Sequence, residues 1–222
     1  MDLIQAMEER HSVRAYTDRP IEGRAREDLL SFIRDREAES GLRLPLVLDR
    51  PDAFSGLMAH YGKFSGVRNY IVLAGKNSGD LAEKCGYYGE KIVLHAQTLG
   101  LNTCWVALTY SKRKVRVPLA PGEKPRLVIA IGYGATAGVP HKSKPRESVT
   151  RVDGTPPAWF LRGVDAALLA PTAVNQQKFT FSLTDDGAVS ARAGLGFYSG
   201  IDLGIVKYHF ELGAGRENFR WK

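Results

Sequence analysis

Arg10-His11-Ser12-Val13-Arg14 sets two guanidinium groups on either side of a hydroxyl, and how this stretch is understood decides the fold. A guanidinium is a planar fork of donors that matches phosphate oxygens two at a time. The Ser12 hydroxyl adds a donor that can rotate to suit its partner. Together these side chains form an anion clamp if the backbone bends so that they converge. The same residues also suit a solvated basic helix end, because Arg is favourable near a helix C-terminus. Both readings stay open on the stretch alone, and the surrounding chain has to be weighed.

The chain has 222 residues, 44% of them hydrophobic and 25% charged, as in an ordinary soluble globular protein. That length supports a sizeable core and one or two domains. No apolar run is long enough to predict a transmembrane helix. Met1-Asp2-Leu3-Ile4-Gln5 lacks the basic and apolar regions of a signal peptide. Cys85 and Cys104 make neither a disulfide framework nor a zinc signature, so a reduced, cytoplasmic setting is expected. The formal net charge is +7, which could serve a nucleic acid or an anionic cofactor. The one concentrated basic run, Lys112-Arg113-Lys114-Val115-Arg116, has no aromatic interleaving and suits a solvated loop or short helix. No nucleic-acid or membrane partner is therefore expected, a DNA-binding role resting on net charge alone.

Working outward from the clamp, residues 2–10 form a short helix with Leu3, Ile4 and Met7 inward and Asp2 as N-cap. Val13 and Tyr16 follow in an extended piece. A helix from Arg24 to about Ser40 points Leu29, Leu30 and Ile33 inward and stops at Gly41. Leucines at 42, 44, 46 and 48 alternate as in a half-buried strand over 42–50. A Gly-containing loop spans 55–66, and Asn69–Ala74 is a continuous apolar run suited to a central strand. The longest helix runs from about residue 78 to Leu99, with Gly100 as its cap. Gly86 and Gly89 lie inside it, each costing about 1 kcal/mol relative to Ala, and close approach of another backbone is the simplest reason. Strands follow at 103–108 and 126–134, with a turn at 118–123 between them. A Gly-Thr-Pro-Pro linker at 154–157 leads to a helix over 157–169. Then come a strand over 178–183, a hairpin turn at Asp185-Asp186-Gly187, a short strand, and a helix from Gly200 to about Leu212. A strand followed by a helix ending Leu-Gly thus occurs twice, which fits two pseudo-equivalent halves packing a pair of long helices.

Three stretches together resemble the nitroreductase family of flavoproteins. The first is Arg10–Arg14 after its short helix. The second is Leu99-Gly100-Leu101-Asn102-Thr103-Cys104-Trp105, with the strand ending Ile131-Gly132-Tyr133 and the basic Lys142-Ser143-Lys144-Pro145. The third is Ala170-Pro171-Thr172-Ala173-Val174-Asn175-Gln176-Gln177, similar to the family's Ala-Pro-Ser-x-x-Asn-x-Gln-Pro-Trp motif. In ordinary members the third motif closely follows the first; here it comes after the linker. That order is similar to a subgroup in which one chain imitates the family's two-subunit dimer.

The resemblance implies an α+β nitroreductase-like fold, a central and mainly antiparallel sheet flanked by helices. It implies a single domain over 1–222 built of pseudo-halves 1–153 and 154–222, with one FMN site per chain between them. Arg10, Ser12, Arg14, Lys142 and Lys144 would meet the FMN phosphate, and His11 would contribute its backbone. Pro171, Thr172, Asn175 and Gln177 would lie along the pyrimidine edge or ribityl chain. Trp105, Val106 and Ala107 would run beside the ring near N5. The implied function is an FMN-dependent oxidoreductase. NADH or NADPH would reduce the flavin, which would pass electrons to a nitroaromatic, quinone or similar small-molecule acceptor. No side chain is named as catalytic, since solvent can supply protons. A chain holding both halves is expected to be a monomer or weak homodimer. Other readings of single residues stand beside these. Lys142 and Lys144 suit a solvated loop, Asn175 and Gln177 suit loop-stabilising amides, Trp105 and Cys104 suit the core, and the histidines show no metal-ligand spacing. Lys178-Phe179 replaces the family's Pro-Trp, and Ala107-Leu108 stands where many members have Gly. These departures keep open a rival, a catalytically silent flavin- or ligand-binding protein on the same fold.

Overall fold

The computed structural model describes residues 1–184 and 187–222. Asp185 and Asp186, on which the expected hairpin turn centres, lie outside the described residues. The chain divides into two compact units assembled from interleaved segments.

One unit comprises Arg10–Leu81 and Ile92–Pro140. After α1 (Leu3–Glu9) and α2 (Gly23–Ser40), the short β1 (Leu46–Val47) leads through α3 (Leu57–Tyr61) to β2 (Asn69–Lys76). The helix α4 (Leu81–Thr98) follows, then β3 (Asn102–Val106) and β4 (Glu123–Gly132). The sheet order is β1-β2-β4-β3, antiparallel throughout. The two longest apolar runs therefore take the two central positions, where a strand covered on both faces shows no polar alternation. Val13, Tyr16, Phe54, Phe64, Tyr70, Val72, Cys104 and Val128 belong to one hydrophobic cluster.

Gly41 ends α2 in the left-handed region, φ 70°, as its position predicts. Three expectations need correction. Over 42–50 only Leu46 and Val47 form a strand, beside a single bridge from Arg43 to Ala74. Pro45 has no N–H to donate, and β2 is irregular between Leu73 and Ala74. The expected loop at 55–66 contains α3, whose Leu57, Met58 and Tyr61 are exposed, so it carries no apolar stripe to betray it. On α1, Ile4 is 43% exposed while Ala6 and Met7 are buried. Ile4 lies about 100° round the helix from Leu3 and so falls off that face.

The other unit comprises Met1–Glu9, Ala82–Lys91 and His141–Lys222. Its elements are β5 (Thr150–Arg151), α5 (Ala158–Leu168), β6 (Phe179–Leu183), β7 (Ala188–Ala193), α6 (Ser199–Ala214) and β8 (Arg220–Trp221). The sheet order is β5-β6-β7-β8; the central pair is antiparallel and the outer strands join parallel. Phe160, Phe181, Phe210, Phe219 and the half-buried Trp221 pack together, edge to face at Phe160–Phe210, Phe210–Phe219 and Phe219–Trp221 and stacked at Phe181–Phe210. The Ala82–Lys91 part of α4 packs backbone to backbone on α6. A Cβ at Gly86 would stand 2.0 Å from the Ile201 carbonyl oxygen, and one at Gly204 would stand 2.0 Å from that of Glu83. That is why α4 accepts the cost of a central Gly86. The Tyr87 hydroxyl donates to Glu211 Oε2 at 2.6 Å, and Glu83 pairs with Lys207. Deeper in, Glu90 and His209 are both fully buried, 2.9 Å apart, with His209 Nδ1 3.0 Å from the Ala166 oxygen. The molecule is α+β and mainly antiparallel, as expected.

Candidate functional site

In the β1–β4 unit the chain leaves α1 extended and is pinned on several sides. Val13 N–H donates to the Thr103 oxygen of β3 at 3.0 Å, and Ser12 bridges Thr103 in parallel. Further on, Tyr16 N–H donates to Ser65, Ser65 N–H to Arg14, and Thr17 N–H to Tyr133. The Tyr16 hydroxyl turns back to donate to the Val13 oxygen at 2.8 Å, and burial pushes its pKa well above the usual phenol range. With Val13 and Tyr16 in the core, the alternate residues point elsewhere. Arg10 is only 3% exposed, Ser12 is half-buried and Arg14 is exposed, its guanidinium 6.0 Å from the centre of the Phe64 ring. His11 is half-buried, and the chain at Gly138 passes so close that a Cβ there would lie 2.8 Å from the His11 Cβ.

Cys104 of β3 is hydrogen-bonded to Ser12 and feels the charges of both Arg10 and Arg14. Burial pushes the Cys104 thiol up, while the charges of Arg14 and Arg10 and a hydrogen bond with Ser12 pull it down. Of the ring-side segment, Trp105 is half-buried, Val106 is in the core, and Ala107 is the first residue beyond β3. Cys104 and Cys85 are both buried thiols.

In the β5–β8 unit the structure brings Lys142 and Lys144 to the 171–177 loop. Gln177 is 2% exposed and its amide is fully engaged: Nε2 donates to the Lys142 oxygen at 2.8 Å and to Asn175 Oδ1 at 2.7 Å, while Oε1 accepts from Lys144 N–H at 2.9 Å. Asn175 Nδ2 also donates to the Lys142 oxygen. Lys144 Nζ donates to the carbonyls of Gln176 and Gln177 at 2.7 and 3.1 Å. Lys142 is exposed. Pro171 and Thr172 are half-buried, and the Thr172 hydroxyl accepts from Gln177 N–H at 3.0 Å. The amides thus fix the lysine-bearing segment. The loop is held against its own preferences, for Val174, Asn175 and Gln177 all have left-handed φ, 47°, 53° and 43°. Each costs of order 1 kcal/mol or more, most for β-branched Val174.

Two residues of this loop system escaped the sequence reading. Gln176 Nε2 donates to the Phe197 oxygen and to Asp202 Oδ2, both at 2.7 Å. Asp202, 3% exposed in the first turn of α6, also accepts from Ala173 N–H at 3.0 Å. Burial pushes its carboxyl up to about 6, against the pull of those hydrogen bonds. Its place near a helix N-terminus was legible, but its burial was not. Among the described residues no group of His, Cys, Asp and Glu could hold a metal ion, and no helix is long and apolar enough to cross a membrane.

Residues 2–214 match the family described as "Putative TM nitroreductase". The chain belongs to that nitroreductase family. A comparison with curated proteins finds no match. Among solved structures, a "putative nitroreductase" from Thermotoga maritima is similar over 98% of this chain and 85% of its own, with 25% identity and a TM-score of 0.67. A "putative nitroreductase" from Desulfovibrio desulfuricans, solved in complex with FMN, matches 70% of this chain and 99% of its own at 18% identity and TM-score 0.53. A "putative NADH dehydrogenase/NAD(P)H nitroreductase" from Parabacteroides distasonis matches 66% and 95% at 23% identity and TM-score 0.52. The last two share the fold of this nitroreductase-family chain.

Proposed function

We propose that this nitroreductase-family chain is an FMN-dependent oxidoreductase that takes electrons from NADH or NADPH and delivers them to a nitroaromatic, quinone or similar acceptor. The observation that carries the reading is the pinning of the Arg10–Arg14 segment to β3 at Thr103, with Ser12 hydrogen-bonded to Cys104 and the charges of Arg10 and Arg14 both acting on that thiol. The donor set fits FMN. A phosphate dianion is matched by guanidinium forks and a hydroxyl. Arg10, Ser12 and Arg14 are assigned to the phosphate. Lys142 and Lys144 are assigned as further cations for the same cofactor, on a segment fixed by Asn175 and Gln177. His11, Pro171 and Thr172 contribute backbone and shape, and Trp105, Val106 and Ala107 are assigned to the ring side. The redox chemistry is that of FMN when bound, and the protein's part is to hold it and tune its surroundings.

The chain is further read as a single domain with pseudo-halves 1–153 and 154–222, taking one FMN. Support comes from the repeated strand-then-long-helix order and from the backbone contact of α4 with α6 at Gly86 and Gly204. A monomer or weak homodimer in a reducing cytoplasm fits this reading. Lys178 and Ala107 depart from the family pattern and favour a second reading, a flavin-binding protein without turnover. Titration with FMN followed by an NADH and NADPH oxidation assay with a quinone acceptor tests both. Bound flavin with turnover supports the enzyme, bound flavin without turnover supports the second reading, and no flavin binding overturns the enzyme and leaves only a ligand-binding protein on the same fold.

A further inference from the structure

We propose that Asp202 is a positioning residue: through Ala173 and Gln176 its carboxylate holds the 172–177 loop in the conformation in which Asn175 and Gln177 fix the Lys142–Lys144 segment. The relevance of that loop to a flavin rests on the function proposed above; the positioning itself does not.

The argument begins with strain. Three left-handed non-glycine residues in four positions do not hold that shape by local preference, so an outside anchor is needed. The loop has one in the buried carboxylate. Asp202 Oδ1 accepts from Ala173 N–H, and Oδ2 accepts from Gln176 Nε2. Gln176 Nε2 has its second donor committed to the Phe197 oxygen. Turned over, the amide would set its Oε1 against both the Phe197 oxygen and Asp202 Oδ2, so those two acceptors fix its orientation. Both Asp202 oxygens therefore face donors, and the site is built for an ionised carboxylate. Protonation would set a hydroxyl against an N–H, and one anchor would be lost. The burial that raises its pKa to about 6 puts that event within reach of mild acid.

Among the described residues, the groups that act on this titration besides burial are the Gln176 amide and the Ala173 N–H. On the elements packed against α6, Glu83 of α4 is paired with Lys207, and Asp165 of α5 with Arg146. Glu9 of α1 accepts from Gln5.

The test is amide hydrogen exchange of residues 172–177, as protection factors at pH 5 and pH 8, in the full chain and in Asp202→Asn and Gln176→Ala. Riboflavin and FMN affinities are measured in parallel; riboflavin is included because the FMN phosphate itself titrates near pH 6. The expected result is protection in the wild type at pH 8 that falls at least tenfold at pH 5. In Asp202→Asn protection is low and the same at both pH values. Gln176→Ala lowers protection at pH 8 yet keeps part of the pH dependence through Ala173. Wild-type protection at both pH values in Asp202→Asn, or no pH dependence in the wild type, would overturn the proposal. A chain that shows the expected exchange but binds neither flavin would overturn the cofactor reading and leave Asp202 as the loop's anchor. If riboflavin binds, its affinity should drop at least fivefold in Asp202→Asn.

Discussion

Arg10 and Arg14 share a chemistry but not an environment. Arg10 is buried and Arg14 is exposed. Replacing either by Ala should weaken FMN binding by about 1–3 kcal/mol, the worth of charge-assisted bonds. The loss at Arg14 should shrink as salt is raised, because only exposed charges are screened well, and the loss at Arg10 should persist. Fluorescence titration at low and high ionic strength reads both; unaltered affinity in both variants contradicts the clamp. At Cys104, burial raises the thiol pKa, so little of it is the nucleophilic thiolate at neutral pH. Alkylation of the native protein at pH 7.5 should be far slower than that of the unfolded chain, as mass spectrometry can follow; equal rates would contradict the burial of this thiol. Asp202 makes a prediction with a definite sign. Its folded pKa, about 6, lies above its ordinary value of 3.8, so the folded state binds the extra proton between those values. Its contribution to stability therefore declines as pH rises from about 4 to 6, by up to about 3 kcal/mol. Denaturant unfolding across that range should show a less negative slope in Asp202→Asn than in the wild type; parallel slopes contradict the assignment. Of these residues, the arginines were legible because their side-chain chemistry is local. Asp202 and Gln176 were not, because burial and partners from distant sequence made them matter.

At the scale of elements, the contact of α4 with α6 is the feature most sensitive to a single atom. A Cβ at Gly86 or Gly204 would meet a carbonyl oxygen at 2.0 Å, so the helices must separate. Either change to Ala should destabilise the protein by about 2–4 kcal/mol, although Ala is the better helix former by about 1 kcal/mol. Gly79, with nothing near its Cβ position, provides a control that should stay near neutral. Thermal unfolding measures all three, and an unchanged midpoint in Gly86→Ala would contradict the close packing. The contact at Gly86 was anticipated, since a glycine within a long helix needed a reason. The long strands and helices were legible from their apolar periodicity. The misreadings have physical causes. Pro45 broke a leucine alternation that otherwise suited a full strand, α3 buries almost none of its apolar residues, and β5 and β8 are two residues long and joined by parallel pairing that leaves no local pattern.

At the scale of the whole molecule, the concentrated basic run of a chain with a net charge of +7 forms a short turn at Lys112–Lys114 with its basic side chains exposed, as its composition predicted. The family was legible because its motifs keep their residue types even when their order changes. Their partners were not, because the bonds that tie Gln177 to Lys142 and Lys144 span more than thirty residues of chain. Sedimentation equilibrium should find a monomer or a weakly associating dimer; a tight dimer at nanomolar concentration would contradict one chain holding both halves. The most direct test of the central claim is the visible absorption spectrum of the purified protein after incubation with FMN and desalting. Retained flavin bands at close to one equivalent per chain are predicted. A colourless protein would contradict the assignment of Arg10, Ser12 and Arg14 to a flavin phosphate.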